Sequence, residues 1–167
     1  MSNHKPWVLI IMGSDSDAEV MSQAAAALDE AGVPYEFTVA SAHRSPERTK
    51  QKITEAEANG AVVFIAGAGM AAHLPGVVAS LTTKPVIGVP LASGALQGVD
   101  ALYAIVQMPP GIPVASVAIG GARNAGVLAA QIIATSDAEL AARLKEQRVA
   151  MAAAVAQKSK KVDKSTR

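Results

Sequence analysis

Ala61-Val-Val-Phe-Ile-Ala-Gly-Ala-Gly-Met-Ala-Ala-His-Leu-Pro-Gly76 is the stretch that decides the fold class. Ala61–Ala66 is apolar without alternation, and a strand with no polar face is one buried on both sides. The glycine turn that follows runs into a helical pattern over about Ala71–Leu81, and Pro85–Val89 then reads as the next strand. Strand, turn, helix and strand in this order make a βαβ unit, whose strands are parallel.

The same grammar extends in both directions. Upstream, Trp7–Met12 is a short apolar run ended by Gly13, and an Ala-rich helical pattern follows from about Asp17 to Ala31, with Gly32 placed as its C-terminal cap. Pro34–Ala40 is the second strand. Ser45-Pro46-Glu47 supplies an N-cap, a first-turn proline and a first-turn acid for a helix reaching Asn59-Gly60. Downstream, a short helix near Val99–Val106 precedes a fifth strand, Pro113–Ile119, and helices follow over about Arg123–Ala134 and Asp137–Gln157. Alternating β and α elements predict a three-layer αβα fold: a five-stranded parallel sheet in the flavodoxin-like order 2-1-3-4-5, with an extra C-terminal helix. The 167 residues fit one domain, with a core over about 7–135 and a solvated, flexible basic tail over 158–167.

Composition narrows the function. Half the residues are hydrophobic but only 3% are aromatic, so the core packs from small side chains and association could add burial. Fifteen basic residues against fourteen acidic leave +1, which gives no field to recruit nucleic acid or an anionic membrane. No cysteine is present, so disulfides and thiolate chemistry are excluded. Ala61–Thr83 and Ala101–Ala122 are uncharged and meet the roughly 20 residues a membrane span needs. Internal glycines and prolines break both into a buried strand, a turn and a second element. The N-terminus lacks the shape of a secretion signal, and the expectation is a cytoplasmic protein.

In the predicted sheet order, three loops gather at the carboxyl ends of the strands, where open α/β sheets bind ligands. The first holds Ser14, Ser16 and Asp17 at a helix start, a seat suited to phosphate. Ser16-Asp-Ala-Glu19 also fits a capping box, which would account for Ser16 and Glu19 but not for Ser14 and Asp15. The second carries Ser41, His43 and Arg44. A guanidinium beside serines suits bidentate phosphate binding, and an imidazole can give and take a proton near neutrality. A carbonyl-bonded histidine and a solvated arginine are the plain alternative.

The third loop, with Gly69, Met70, Ala71, His73 and Leu74, formally matches G-x-G-x-x-A. It sits on the third strand with no acidic residue about twenty positions on, so it is a poor dinucleotide signature. His73 alone reads as a packed histidine, and His4 as a frayed terminal one. No carboxylate or cysteine clusters with the histidines, which argues against a metal site.

Taken together, these segments resemble the class I N5-carboxyaminoimidazole ribonucleotide (N5-CAIR) mutases of purine biosynthesis. The matching runs are Met12-Gly-Ser-x-Ser-Asp17, Ser41-Ala-His-Arg44 and Ala66-Gly-Ala-Gly-x-Ala-Ala-His-Leu-Pro-Gly76. Gly88-Val-Pro90, Gly98-Val-Asp100, Ile105-Val-Gln-Met-Pro109 and the helix start at Asn124 add to them. The resemblance covers about Val8 to Leu140. It implies an isomerase that moves a carboxylate from the exocyclic nitrogen of N5-CAIR to C4, giving CAIR, with no metal, nucleotide or organic cofactor.

His43 matches the catalytic acid and base. Ser14, Asp17 and Arg44 would bind the ribonucleotide, with Asp17 on the ribose hydroxyls and Ser16 and Ser41 adding contacts at the phosphate end. Gly69, Met70, Ala71, His73 and Leu74 would wall the base and carboxylate pocket, His73 as a lesser contact. The resemblance further implies a homo-octamer whose C-terminal helix reaches over a neighbour, with neither nucleic acid nor membrane as partner.

Two departures stand out. Met70 replaces an expected glycine, which should tighten the pocket wall or alter its backbone, and Gly120-Gly-Ala-Arg-Asn124 is a shortened turn. Two other readings compete with the mutase: a class II enzyme that carboxylates AIR with free CO2, and a non-catalytic phosphoribosyl-binding module.

Overall fold

A computed structural model describes residues 5–163. Its elements are β1 (Trp7–Met12), a 3₁₀ turn (Asp15–Asp17), α1 (Ala18–Ala31), β2 (Tyr35–Val39), α2 (Pro46–Ala58), β3 (Ala61–Gly69) and α3 (His73–Leu81). β4 (Val86–Leu91), α4 (Val99–Val106), β5 (Ala115–Ser116), α5 (Ala122–Ala134) and α6 (Ala138–Val162) complete it. The strands form one parallel sheet in the order β2-β1-β3-β4-β5, as the alternation predicts.

Both faces of the sheet are covered, which is why the central strands are apolar throughout. Val8, Ile10 and Met12 of β1 pack with Met21, Ala24 and Leu28 of α1, with Ala125 and Ala129 of α5, and with Leu140 of α6. Leu9 and Ile11 turn the other way, toward Ile53 of α2, Leu74 and Val78 of α3, and Ala101 and Ile105 of α4. Small side chains bring these layers close. A Cβ on Gly126 of α5 would lie 2.5 Å from the Ala24 carbonyl oxygen of α1, so only glycine permits that contact.

Register places the site. Met12 is level with Val39 on one side and with Gly67 on the other. The ends of β2 and β1 are therefore level with each other, β3 runs only two residues further to Gly69, and the three loops rise side by side.

Several boundaries differ from the sequence reading, each for a tertiary reason. β3 continues past Ala66 to Gly69 because Ala66–Gly69 pair with Gly88–Leu91 of β4. α3 accordingly begins at His73, not Ala71. β5 shrinks from Pro113–Ile119 to Ala115–Ser116. Its neighbour β4 contains Pro90, which has no N–H to offer, and beyond Ser116 the Val117 and Gly120 amides reach the Gly88 and Pro90 carbonyls irregularly. α6 passes Gln157 and ends at Val162, so residues 158–162 are helical. Lys158 and Lys160 complement the helix dipole, and the Ser159 hydroxyl donates to Asp163 Oδ2 at 2.6 Å. His4 and the tail over 164–167 lie outside the described residues. No described helix is long and apolar enough to cross a membrane.

Candidate active site

The three loops enclose a cleft of about 500 Å³. Every residue expected to act lines it: Ser14, Ser16 and Asp17 from the first loop, Ser41, His43 and Arg44 from the second, and Gly69, Met70, Ala71, His73 and Leu74 from the third. Gly13, Ala42, Ala68 and Ala72 fill the wall between them. Ser93, from the loop after β4, also lines the cleft and went unnoticed in the sequence. The only available signal was its position just past a strand end.

The first loop is a serine cluster and not a capping box. Ser14 is the N-cap of the 3₁₀ turn; its hydroxyl donates to Asp15 Oδ1 at 3.1 Å and accepts from the Ser16 hydroxyl at 3.0 Å. The Ser16 amide also donates to Asp15 Oδ1, at 3.1 Å. α1 then starts at Ala18 with no side-chain cap, so Ser16 and Glu19 are not spent on one another. The inserted 3₁₀ turn is the reason, because it moves the helix start past Ser16. Burial pushes the Asp17 carboxyl above its ordinary range, against opposing hydrogen bonds from the Ser14 backbone and the Ser16 side chain and the charge of Arg44.

The second loop is tied to itself and to the first. Ser45 occupies the N-cap position of α2, yet its hydroxyl donates back to the Ser41 carbonyl at 3.2 Å and accepts from the Ser41 amide at 3.0 Å. The Arg44 amide donates to Ser41 Oγ, and its guanidinium reaches the Gly13 carbonyl at 3.0 Å. That last bond holds a cation beside the serine cluster. A phosphate placed there would meet an arginine and a set of hydroxyls.

The third loop brings an unexpected partner. His43 Nε2 lies 2.6 Å from His73 Nδ1, with the rings edge to face. His73 is thus a direct neighbour of His43 and not a lone packed histidine. The short N···N distance is a hydrogen bond in which the tautomers of the two rings set donor and acceptor. Met70 and Ala72 both take left-handed backbone, at φ 54° and 44°. Met70 therefore holds the conformation a glycine would hold, and its side chain, 62% exposed, is turned away from the core. Among the described residues no three His, Cys, Asp or Glu side chains gather as a metal site requires.

The family model described as AIR carboxylase matches residues 7–154. The chain belongs to the AIR carboxylase family. N5-carboxyaminoimidazole ribonucleotide mutase of Pyrococcus horikoshii is 53% identical over 98% of this chain and 92% of its own length. The enzyme of that name from Bacillus subtilis is 56% identical over 86% of this chain and 90% of its own. Among solved structures, Treponema denticola PurE superposes with a TM-score of 0.87 at 30% identity, covering 96% of this chain and all of that one. Within the AIR carboxylase family, the serine, arginine and histidine loops described above thus occur on a chain that follows named mutases over nearly its whole length.

Proposed function

We propose that the cleft is the active site of an N5-CAIR mutase in purine biosynthesis. The observation that carries this is the convergence of a phosphate-seating end and a histidine end in one cleft, on a chain with mutase relatives at 53–56% identity. Ser14, Ser16, Ser41 and Arg44 seat the phosphate, Asp17 accepts from the ribose diol, and the loop over Gly69–Leu74 walls the imidazole ring.

His43, as the imidazolium, gives its proton to the exocyclic nitrogen of N5-CAIR. The N–CO2 bond breaks, leaving AIR with a free amine and one CO2 in the cleft. C4 of AIR then attacks that CO2, and neutral His43 removes the proton from C4. CAIR is formed and the imidazolium is restored, so the histidine ends as it began. Keeping CO2 beside the ring replaces a bimolecular recapture with an effectively intramolecular one. His73, hydrogen-bonded to His43, holds the ring that moves the proton.

The protein acts in the cytoplasm as a homo-octamer. Exposed Leu96, Val99, Tyr103 and Val106 around α4, and Val149, Met151 and Val155 on α6, support association, because they are apolar surface a monomer would leave in water.

The deciding experiment follows N5-CAIR and CAIR with wild type and His43→Asn, without ATP or added metal. Wild type converts N5-CAIR, while the variant still binds CAIR but loses turnover by about 100-fold or more, the usual contribution of a general acid–base group. Efficient conversion only from AIR plus bicarbonate would assign the carboxylase reaction instead. Binding with no conversion by wild type would leave a ligand-binding module.

A further inference from the structure

Ser93 stands apart from the other serines of the cleft. Ser14 and Ser16 bond to one another and to Asp15, and Ser41 Oγ accepts from the Arg44 amide. Ser93 Oγ is shielded from solvent and has no hydrogen-bond partner among the described residues. An unpaired hydroxyl out of water is a cost that folds rarely carry without a use.

The surroundings show that the position is built. The loop leaving β4 closes on itself: a Cβ on Gly98 would lie 3.1 Å from Ala92 Cα, and the Gln97 side chain donates to the Gly94 carbonyl at 2.7 Å. Gln97 takes left-handed backbone at φ 49° to complete this closure. Ser93 is thereby pressed against the third loop. A Cβ on Gly69 would fall 3.3 Å from Ser93 Cβ and closer still to its Oγ, so the missing side chain of Gly69 is the space that Ser93 occupies. The hydroxyl rests at the wall of the imidazole end, on a residue that lines the cleft. Turning about its single χ1 breaks no hydrogen bond, so it can reach a ligand at little cost.

We infer that Ser93 is a substrate-binding residue that donates its hydroxyl hydrogen to the migrating carboxylate, and holds that group beside the ring while it is CO2. The other end of the ligand already has Arg44 and the first-loop serines, and the third loop offers mostly apolar side chains. A donor with no other partner, at the wall where the carboxylate must change position, fits an acceptor that arrives only with substrate. This assignment rests on the mutase reading.

The test measures CAIR and AIR affinity, product partition and thermal stability for wild type, Ser93→Ala and Ser93→Cys. CAIR carries the carboxylate and AIR does not. Ser93→Ala should weaken CAIR by about ten- to a hundredfold, the range for losing a hydrogen bond to a charged group, and leave AIR unchanged. More free AIR should escape for each N5-CAIR consumed. Ser93→Cys, with a weaker donor of similar shape, should show the same selective loss. Stability of Ser93→Ala should hold or rise, because an unpaired buried hydroxyl is removed. Equal affinities in variant and wild type, or a matched loss for AIR and CAIR, would overturn the assignment. So would a destabilised Ser93→Ala with unchanged CAIR selectivity, since Ser93 would then be packing alone. A wild-type protein that neither binds CAIR nor converts N5-CAIR would instead defeat the mutase reading itself.

Discussion

Asp17 carries a conflict between folding and use. Its carboxyl is pushed above the ordinary 3.8, chiefly by burial, so the folded protein binds that proton more tightly than the unfolded chain does. Stability is therefore lost as pH rises from 3.8 through the folded-state value, and ionised Asp17 is a burden at neutrality. Asp17→Asn should melt at a higher temperature than wild type at pH 7, with the gap closing as pH falls toward 3.8. On the proposed binding mode, in which Asp17 accepts from the ribose hydroxyls, the same variant should raise KM for N5-CAIR by about tenfold. Thermal melts across pH, together with steady-state kinetics, check both halves. A carboxylate that destabilises the empty protein is a trade expected where the same group is needed for a ligand. His73 belongs to this scale too. If it only steadies the His43 ring, His73→Ala should lower kcat by about tenfold and leave KM within about twofold, a smaller loss than from His43→Asn.

At the scale of elements, the third loop is where local preference and structure disagree. Met70 sits in left-handed backbone that costs a non-glycine residue about 1–2 kcal/mol, partly offset by the entropy that a glycine would lose on ordering. Met70→Gly should therefore raise stability by about 1 kcal/mol or less, read as a small rise in Tm. Turnover should stay within about threefold, because the side chain points away from the core and its backbone conformation is kept. A drop far beyond that would place the Met70 side chain in the reaction.

The central strands were legible because Val8–Met12 and Ala61–Ala66 are apolar on every residue, a pattern that only a doubly covered sheet explains. The glycines after Ala66 read as a strand end in the sequence, yet the strand runs through them. Gly67 and Gly69 stay in β3 because Met21 and Ser93 stand where their side chains would be, and nothing near them in the sequence reveals those neighbours. The short fifth strand was hidden in the same way, since the residue that curtails it, Pro90, lies on the strand beside it. In the site, residue types marked Ser14, Asp17, His43 and Arg44 as a group. The contact between His43 and His73 depends on two loops thirty residues apart meeting at 2.6 Å, and Ser93 lies in a segment with no pattern of its own.

Over the whole molecule, α6 projects apolar side chains that the other described residues do not cover. Val149, Met151 and Val155 are all more than half exposed, on a helix whose first turns alone pack, through Leu140, into the core. Met151→Lys with Val155→Lys should lower the mass seen by sedimentation while leaving the circular dichroism of the fold intact. An unchanged mass would remove α6 from the proposed assembly and leave the exposed face around α4 as its remaining support. The alignment of Met12, Val39 and Gly67 in one row has its own consequence. A slip of one residue between β1 and β2 would carry the His43 loop about 3.3 Å along the strand, out of step with the first and third loops. The register that joins the edge strand β2 to β1 is thus also what aims the histidines at one another, and a molecule that keeps its register keeps its aim. Titrated with denaturant at fixed protein concentration, activity and far-ultraviolet ellipticity should fall along one superimposable curve, with no folded but silent population between them.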